Sequence, residues 1–172
     1  MGQAFIIANL DKGEYLEPMA VGDGCKLGEV LANGTSLRLL AVLCAVTKDG
    51  RAELHSDNPI IGRWEGDRIV VTGDYGPEGE HLPEGWEEKW AEQGVDWKPN
   101  LWAWLGHYGV NVTGSALCAL YDNPFMAREF PVSPQLMADA REAHSKLCAS
   151  GYFIGAKLDS DDLSAFDLPE GE

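Results

Sequence analysis

Apolar positions along the chain fall in short runs broken by turn-forming residues, a pattern of small strands and short helices rather than one long periodic stretch. Phe5-Ile6-Ile7-Ala8 is rich in strand formers and ends at Asn9-Leu10-Asp11-Lys12-Gly13, so it predicts a strand entering a turn, with Glu14-Tyr15-Leu16 pairing back as a hairpin. Residues 25–31 alternate only weakly (Cys25, Leu27, Val30, Leu31), and strand and helix both fit. Thr35 or Ser36 then offers an N-cap, and Leu39, Val42, Leu43 and Val46 recur at spacings of three and four, which predicts a buried helix closed by Lys48-Asp49-Gly50. Ile60-Ile61-Gly62-Arg63-Trp64 and Arg68-Ile69-Val70-Val71-Thr72 flank Glu65-Gly66-Asp67 and predict a β-hairpin.

Residues 76–100 change character, with Gly76, Pro77, Gly79, Pro83, Gly85, Gly94 and Pro99 interrupting the chain. Inside this stretch residues 85–93 predict a short amphipathic helix, with Trp86 and Trp90 one turn apart on one face. Ser133-Pro134 is an N-cap followed by a proline at the first helical position, and it opens a helix through Leu136, Met137, Ala140, His144, Leu147 and Cys148 that stops near Gly151. Tyr152-Phe153-Ile154 predicts a last strand. These elements together imply an α+β fold: a small, mostly antiparallel sheet packed by two or three helices, the main ones near 36–47 and 134–149. The expected organisation is a single domain over residues 1–157, with a Trp-rich acidic insertion at 76–105 and a frayed acidic tail at 158–172.

Composition sharpens this picture mainly through the placement of charge. With 45% hydrophobic residues over 172 positions, the chain has enough apolar surface for a core. Lys and Arg number 13 against 28 Asp and Glu, a net charge of −15 that argues against direct nucleic-acid binding, because affinity for polyanions comes from displaced counterions. Residues 78–96 and 159–172 each carry −6, so the rest of the chain is nearly neutral.

Four cysteines (Cys25, Cys44, Cys118, Cys148) lie far apart, three of them in apolar runs, and read as reduced core thiols of a cytoplasmic protein. No apolar run is long enough to span a bilayer, and no basic and apolar leader opens the chain.

The opening Met1-Gly2-Gln3, then Asn9-Leu10-Asp11-Lys12, Glu14-Tyr15 and Gly22-Asp23-Gly24, resembles a group of uncharacterised bacterial proteins. So does the block His55-Ser56-Asp57-Asn58-Pro59-Ile60-Ile61-Gly62 with Trp64, Gly66-Asp67-Arg68-Ile69-Val70 and Gly73-Asp74-Tyr75. The resemblance covers about the first 75 residues. It departs at Ala4, where the group has an aromatic, and in the Trp-rich segment after Tyr75. It implies a bacterial or phage source and supplies no activity.

Four constellations carry possible chemistry. His55 and Asp57, with Asp67, Arg68 and Asp74, form the polar block of a possible small enzyme or ligand-binding domain, as base, orienter and anion-holding groups. Turn formation accounts for the same residues. The histidines and cysteines are too isolated for structural zinc, and Gly22-Asp23-Gly24-Cys25-Lys26 lacks the spacing of a phosphate loop, so no metal and no cofactor are expected. His144, on the apolar face of its helix, reads as a hydrogen-bonded packing residue.

The fourth constellation is the most unusual. Five of the six tryptophans (Trp86, Trp90, Trp97, Trp102, Trp104) fall within the acidic stretch, beside Glu84, Glu87, Glu88 and Glu92. Tryptophan supplies large apolar area and one donor, and carboxylates steer a cationic partner. The rings either pin the segment to the body or anchor a partner, and both hold if some remain exposed. The function expected is a non-enzymatic, acidic protein-binding module directed at a basic protein surface. An inhibitor of a nucleic-acid-handling protein, of the antirestriction, anti-CRISPR or toxin-immunity kind, fits that description by charge and size.

Overall fold

The computed structural model describes residues 3–46 and 58–153. Four strands, β1 (Phe5–Asn9), β2 (Glu14–Leu16), β3 (Ile69–Gly73) and β4 (Val110–Asn111), form one mixed sheet in the order β3-β1-β2-β4. The β1–β2 hairpin forms as the sequence predicts, in the antiparallel register Ile7↔Leu16 to Asn9↔Glu14. β3 runs antiparallel along the other edge of β1, from Phe5↔Gly73 to Asn9↔Ile69. β4 joins β2 in parallel. Among the described residues there are seven α-helices, more than the two or three expected, in an α+β arrangement: α1 (Leu27–Asn33), α2 (Thr35–Leu43), α3 (Trp86–Ala91), α4 (Leu101–Tyr108), α5 (Thr113–Tyr121), α6 (Pro124–Glu129) and α7 (Pro134–Ala149).

Period-two alternation on β1 builds two cores, one on each face of the sheet. Ile7, with Leu16 opposite it, packs into the main core beside Leu39, Val42 and Leu43 of α2 and Ala116, Leu117 and Leu120 of α5. Ile6 and Ala8 face the other way, onto Trp90, Leu101, Trp104 and Leu105. The Trp-rich segment therefore covers the second face of the sheet. Its ends lie side by side, closed by the Glu78↔Asn100 bridge and by Asn100 Nδ2, which donates to the Asp74 carbonyl at 2.8 Å.

The hairpin predicted over residues 60–72 does not form. Residues 59–66 are a run of turns, and two of their backbone donors bind the end of α2: the Gly62 N–H reaches the Val42 carbonyl at 2.9 Å and the Trp64 N–H the Leu43 carbonyl at 2.7 Å. A Cβ at Gly62, whose φ is +73°, would sit 2.5 Å from the Ala45 carbonyl oxygen, so glycine is required there twice over. Only the second run becomes a strand, and it pairs with β1.

The last predicted strand is also replaced. After α7, Gly151 in the left-handed region (φ +77°) lets its own N–H reach the Cys148 carbonyl and the Tyr152 N–H reach Leu147, a Schellman stop. That turn drives Tyr152 and Phe153 back onto the body. Ile154, the helix stop at Lys48-Asp49-Gly50 and the acidic tail at 158–172 lie outside the described residues.

The turn after α7 meets a buried acid. Glu14 is fully buried on the main-core face, where Oε1 accepts from Arg63 Nε (2.8 Å), Arg63 Nη2 (2.6 Å) and the Tyr152 hydroxyl (2.7 Å), and Oε2 from Trp64 Nε1 (2.6 Å). Burial works against the Arg63 charge, but the Glu14 carboxylate outweighs it and holds the guanidinium above its ordinary value. Burial, reinforced by Glu14, pushes the Tyr152 hydroxyl up to about 12. Three distant stretches of chain are thus fastened at one carboxylate.

A second acid stabilises α2 from outside its own sequence. Asp23 Oδ2 accepts from the Ser36 N–H (2.5 Å) and Ser36 hydroxyl (2.6 Å), and Oδ1 from the Thr35 N–H (3.2 Å), so the helix start is capped by a remote carboxylate rather than by Thr35 or Ser36. On α7, Ser133 does cap as predicted, accepting from the Leu136 N–H at 3.1 Å.

His144 is the packing histidine the sequence suggests, buried between α5 and α7. Its Nδ1 lies 2.9 Å from Ser115 Oγ and its Nε2 3.3 Å from Cys148 Sγ. Close approach of the two helices is permitted by Gly114, where a Cβ would meet the Ala140 carbonyl at 2.8 Å. Burial holds the imidazole below its ordinary value, so the unfolded chain takes up the proton first. The resulting stability is present above about pH 6.5 and is lost as pH falls through the lowered folded value. The unfolding free energy of wild type relative to His144→Gln is therefore expected to shrink between about pH 7 and pH 5; a gap in urea melts that stays constant or widens contradicts a neutral buried His144.

Candidate functional site

The helix predicted within residues 85–93 forms as α3, six residues long, with Gly85 in the left-handed region ahead of it. Its Trp90 turns inward, 3% exposed, and packs on Trp104 with ring centroids 6.1 Å apart. The Trp90 indole donates to the Trp97 carbonyl at 3.0 Å, which closes the loop after α3 and brings Trp97 edge-on to Trp90 at 5.0 Å. Tyr108 ties the segment to α4: its hydroxyl donates to the Lys89 carbonyl at 2.8 Å and accepts from Gln93 Nε2 at 2.7 Å.

The nine residues assigned to a partner surface therefore divide. Trp90 and Trp104 (6% exposed) are core, Trp86 is half-buried, and Trp97 and Trp102 are 51% and 36% exposed. Glu84, Glu87, Glu88 and Glu92 are all exposed. Trp86, Glu87, Trp90 and Trp97 line one open cleft of about 570 Å³, while Glu84, Glu88, Glu92, Trp102 and Trp104 do not line it. Five lining residues lie outside the set assigned from sequence: Glu78, Ala91, Val95, Asp96 and Lys98. Glu78 reaches the cleft because the bridge to Asn100 folds the start of the segment against its end, a contact no local period announces.

The cleft has three indoles and three carboxylates, Glu78, Glu87 and Asp96, with Lys98 the one cation lining it. A π-face attracts a cation within about 6 Å of the ring centroid, and neighbouring carboxylates add charge-assisted hydrogen bonds. Such a site suits a guanidinium or ammonium group on an aliphatic stem.

The alternative block fares differently. Asp67 accepts from Asn9 Nδ2 at 2.7 Å and pairs with Lys12, whose hydrogen bond holds its carboxyl below the usual range. Arg68 clasps Asp11 through Nε (2.8 Å) and Nη2 (2.6 Å). Asp74 accepts from the Ala4 N–H at 2.9 Å. Asp67 and Asp74 thus stand at opposite ends of β3 and do not meet, and each is engaged in holding β3 to β1. His55 and Asp57 lie outside the described residues.

Ser115, His144 and Cys148 stand in a row like orienter, base and nucleophile, but burial raises the Cys148 thiol and lowers the His144 imidazole. Both are neutral at pH 7, the opposite of an activated thiolate–imidazolium pair. Cys25, Cys44, Cys118 and Cys148 are half-buried thiols, the last three packed against the main core, with burial pushing Cys118 up to about 11. Among the described residues no three of His, Cys, Asp and Glu gather as metal ligands, and no helix is long and apolar enough to cross a membrane.

Compared with protein-family models, curated proteins and solved structures, the chain finds no match in any of the three.

Proposed function

We propose that the protein is a non-enzymatic, acidic protein-binding module whose cleft beside α3 receives a cationic side chain from the basic surface of a partner. By occupying that surface it acts as an inhibitor of a nucleic-acid-handling protein of bacterial or phage type. The observation that carries the reading is Trp97: half its surface is open to solvent although it is held edge-on against buried Trp90, at a mouth edged by Glu78, Glu87 and Asp96. A ring kept exposed on a fixed support is a ready contact, since little ordering is needed when the partner arrives. The remaining acids of the segment, Glu80, Glu84, Glu88 and Glu92, steer the approach of a basic surface without lining the cleft. The commitment of Asp67, Arg68 and Asp74 to strand-holding bonds weighs against the catalytic alternative.

A short arginine-rich peptide tests the reading. Its affinity is expected to fall as salt rises. Replacing the cleft carboxylates (Glu78→Gln, Glu87→Gln, Asp96→Asn) is expected to cost about tenfold or more, and clearly more than replacing Glu84, Glu88 and Glu92 by Gln. Equal losses from the two triple variants would mean diffuse charge attraction and no cleft.

A further inference from the structure

On another side of α3 a second cavity, about 280 Å³, opens between the β1–β2 turn, the loop carrying His81, and α4. Leu101, Trp104 and Leu105 line its apolar part, and Lys12, His81 and Lys89 bring three nitrogen-bearing side chains to it from separate stretches of chain. This is an unusual gathering in a chain of net charge −15.

Lys89 is the single base within residues 78–96, and α3 and its C-cap also carry Glu87, Glu88 and Glu92. Its ammonium nevertheless lies over the ring of Tyr108, 4.4 Å from the centroid, and 5.7 Å from that of Trp104. Among the described residues it has no carboxylate partner. Of the residues lining the cavity Asp11 alone is acidic, and it is matched by Arg68 while Lys12 is matched by Asp67, so the uncompensated charge within the lining is the positive one on Lys89. His81 is the only residue other than glycine among the described residues with positive φ, +59°. That conformation is disfavoured for a side chain with a Cβ and is concentrated at ligand sites.

We infer that this cavity binds a small organic anion: an apolar body of about one ring against Leu101, Trp104 and Leu105, with its acidic head on Lys89. The volume, about 280 Å³, falls just short of the roughly 300 Å³ at which cavities for drug-sized ligands begin, which limits the occupant to a small molecule. Lys12 retains donors beyond the one given to Asp67, and His81 supplies a ring nitrogen at the same rim. The site is independent of the cleft at Trp97, which carries the opposite charge.

Benzoate, phenyl phosphate and neutral benzyl alcohol, titrated at constant ionic strength and followed by NMR, test it. Benzoate or phenyl phosphate is expected to give saturable shifts at the Lys12 and Tyr108 amides and the Trp104 indole. Which of the two binds more tightly identifies the acidic head. Benzyl alcohol is expected to bind about tenfold more weakly or worse, and Lys89→Met, at an exposed position, to weaken the anion by a similar factor, whereas Lys98→Met leaves it unchanged. No saturation by either anion at about 10 mM, equal binding of the alcohol, or an unaltered Lys89→Met protein would overturn the assignment.

Discussion

Glu14→Ala is expected to lower the unfolding free energy by about 3–5 kcal/mol, the cost of breaking a buried ion pair from one side. The substitution strands three groups at once. Arg63 loses the carboxylate that offsets its burial, the indole N–H of buried Trp64 loses its acceptor, and the Tyr152 hydroxyl is left facing the same gap. Arg63 also lies over the rings of Tyr152 and Phe153, 5.2 and 4.7 Å from their centroids, so the turn after α7 loosens with it. Glu14→Gln keeps the volume and one acceptor oxygen and should cost less, because part of the donor set stays satisfied. Urea melts of the two variants decide the point: a Glu14→Ala loss below about 1 kcal/mol would mean that solvent replaces the carboxylate at no great cost and that the network does not fasten the fold.

Trp90→Ala carries the other large effect, again about 3–5 kcal/mol, from the cavity left in the second core. Trp90 fills the space between Ile6 and Ala8 of β1 and Trp104 of α4, and its indole N–H closes the loop that positions Trp97. Loss of stability and loss of the cleft should therefore appear together. Trp102→Ala is the contrast: its exposed ring should matter by less than about 0.5 kcal/mol to stability. If Trp90→Ala melted like Trp102→Ala, the segment would be an independent appendage and the two-faced sheet would be wrong.

How far the sequence spoke for this structure depends on whether the determining contacts were local. The β1–β2 hairpin and α7 were legible because their signals lie within a few residues: strand formers ending at an Asn-to-Gly turn, and Ser133-Pro134 ahead of a periodic apolar face. Residues 60–64 misled because their apolar, β-branched text is also what a buried turn needs when it packs under α2, and the bonds that decide, from Gly62 and Trp64 to Val42 and Leu43, span about twenty positions. Helix α5 passed unread for another reason. It is buried on nearly every side, so it lacks an amphipathic stripe, and it opens with Thr113-Gly114-Ser115, poor helix formers. In the candidate site, tryptophan count and charge pointed to the segment that holds the cleft but not to its division into core rings and open ones. That division follows from which rings β1 and α4 can cover.

The indole N–H signals of the six tryptophans, followed while the arginine-rich peptide is titrated in, test the cleft most directly. The expected result is a saturable shift centred on Trp97 and Trp86, smaller at Trp90, with Trp64 and Trp102 unmoved and the response removed by the Glu78/Glu87/Asp96 substitutions. Shifts that never saturate, or that are as large at Trp102 as at Trp97, would contradict a cationic side chain seated in the cleft.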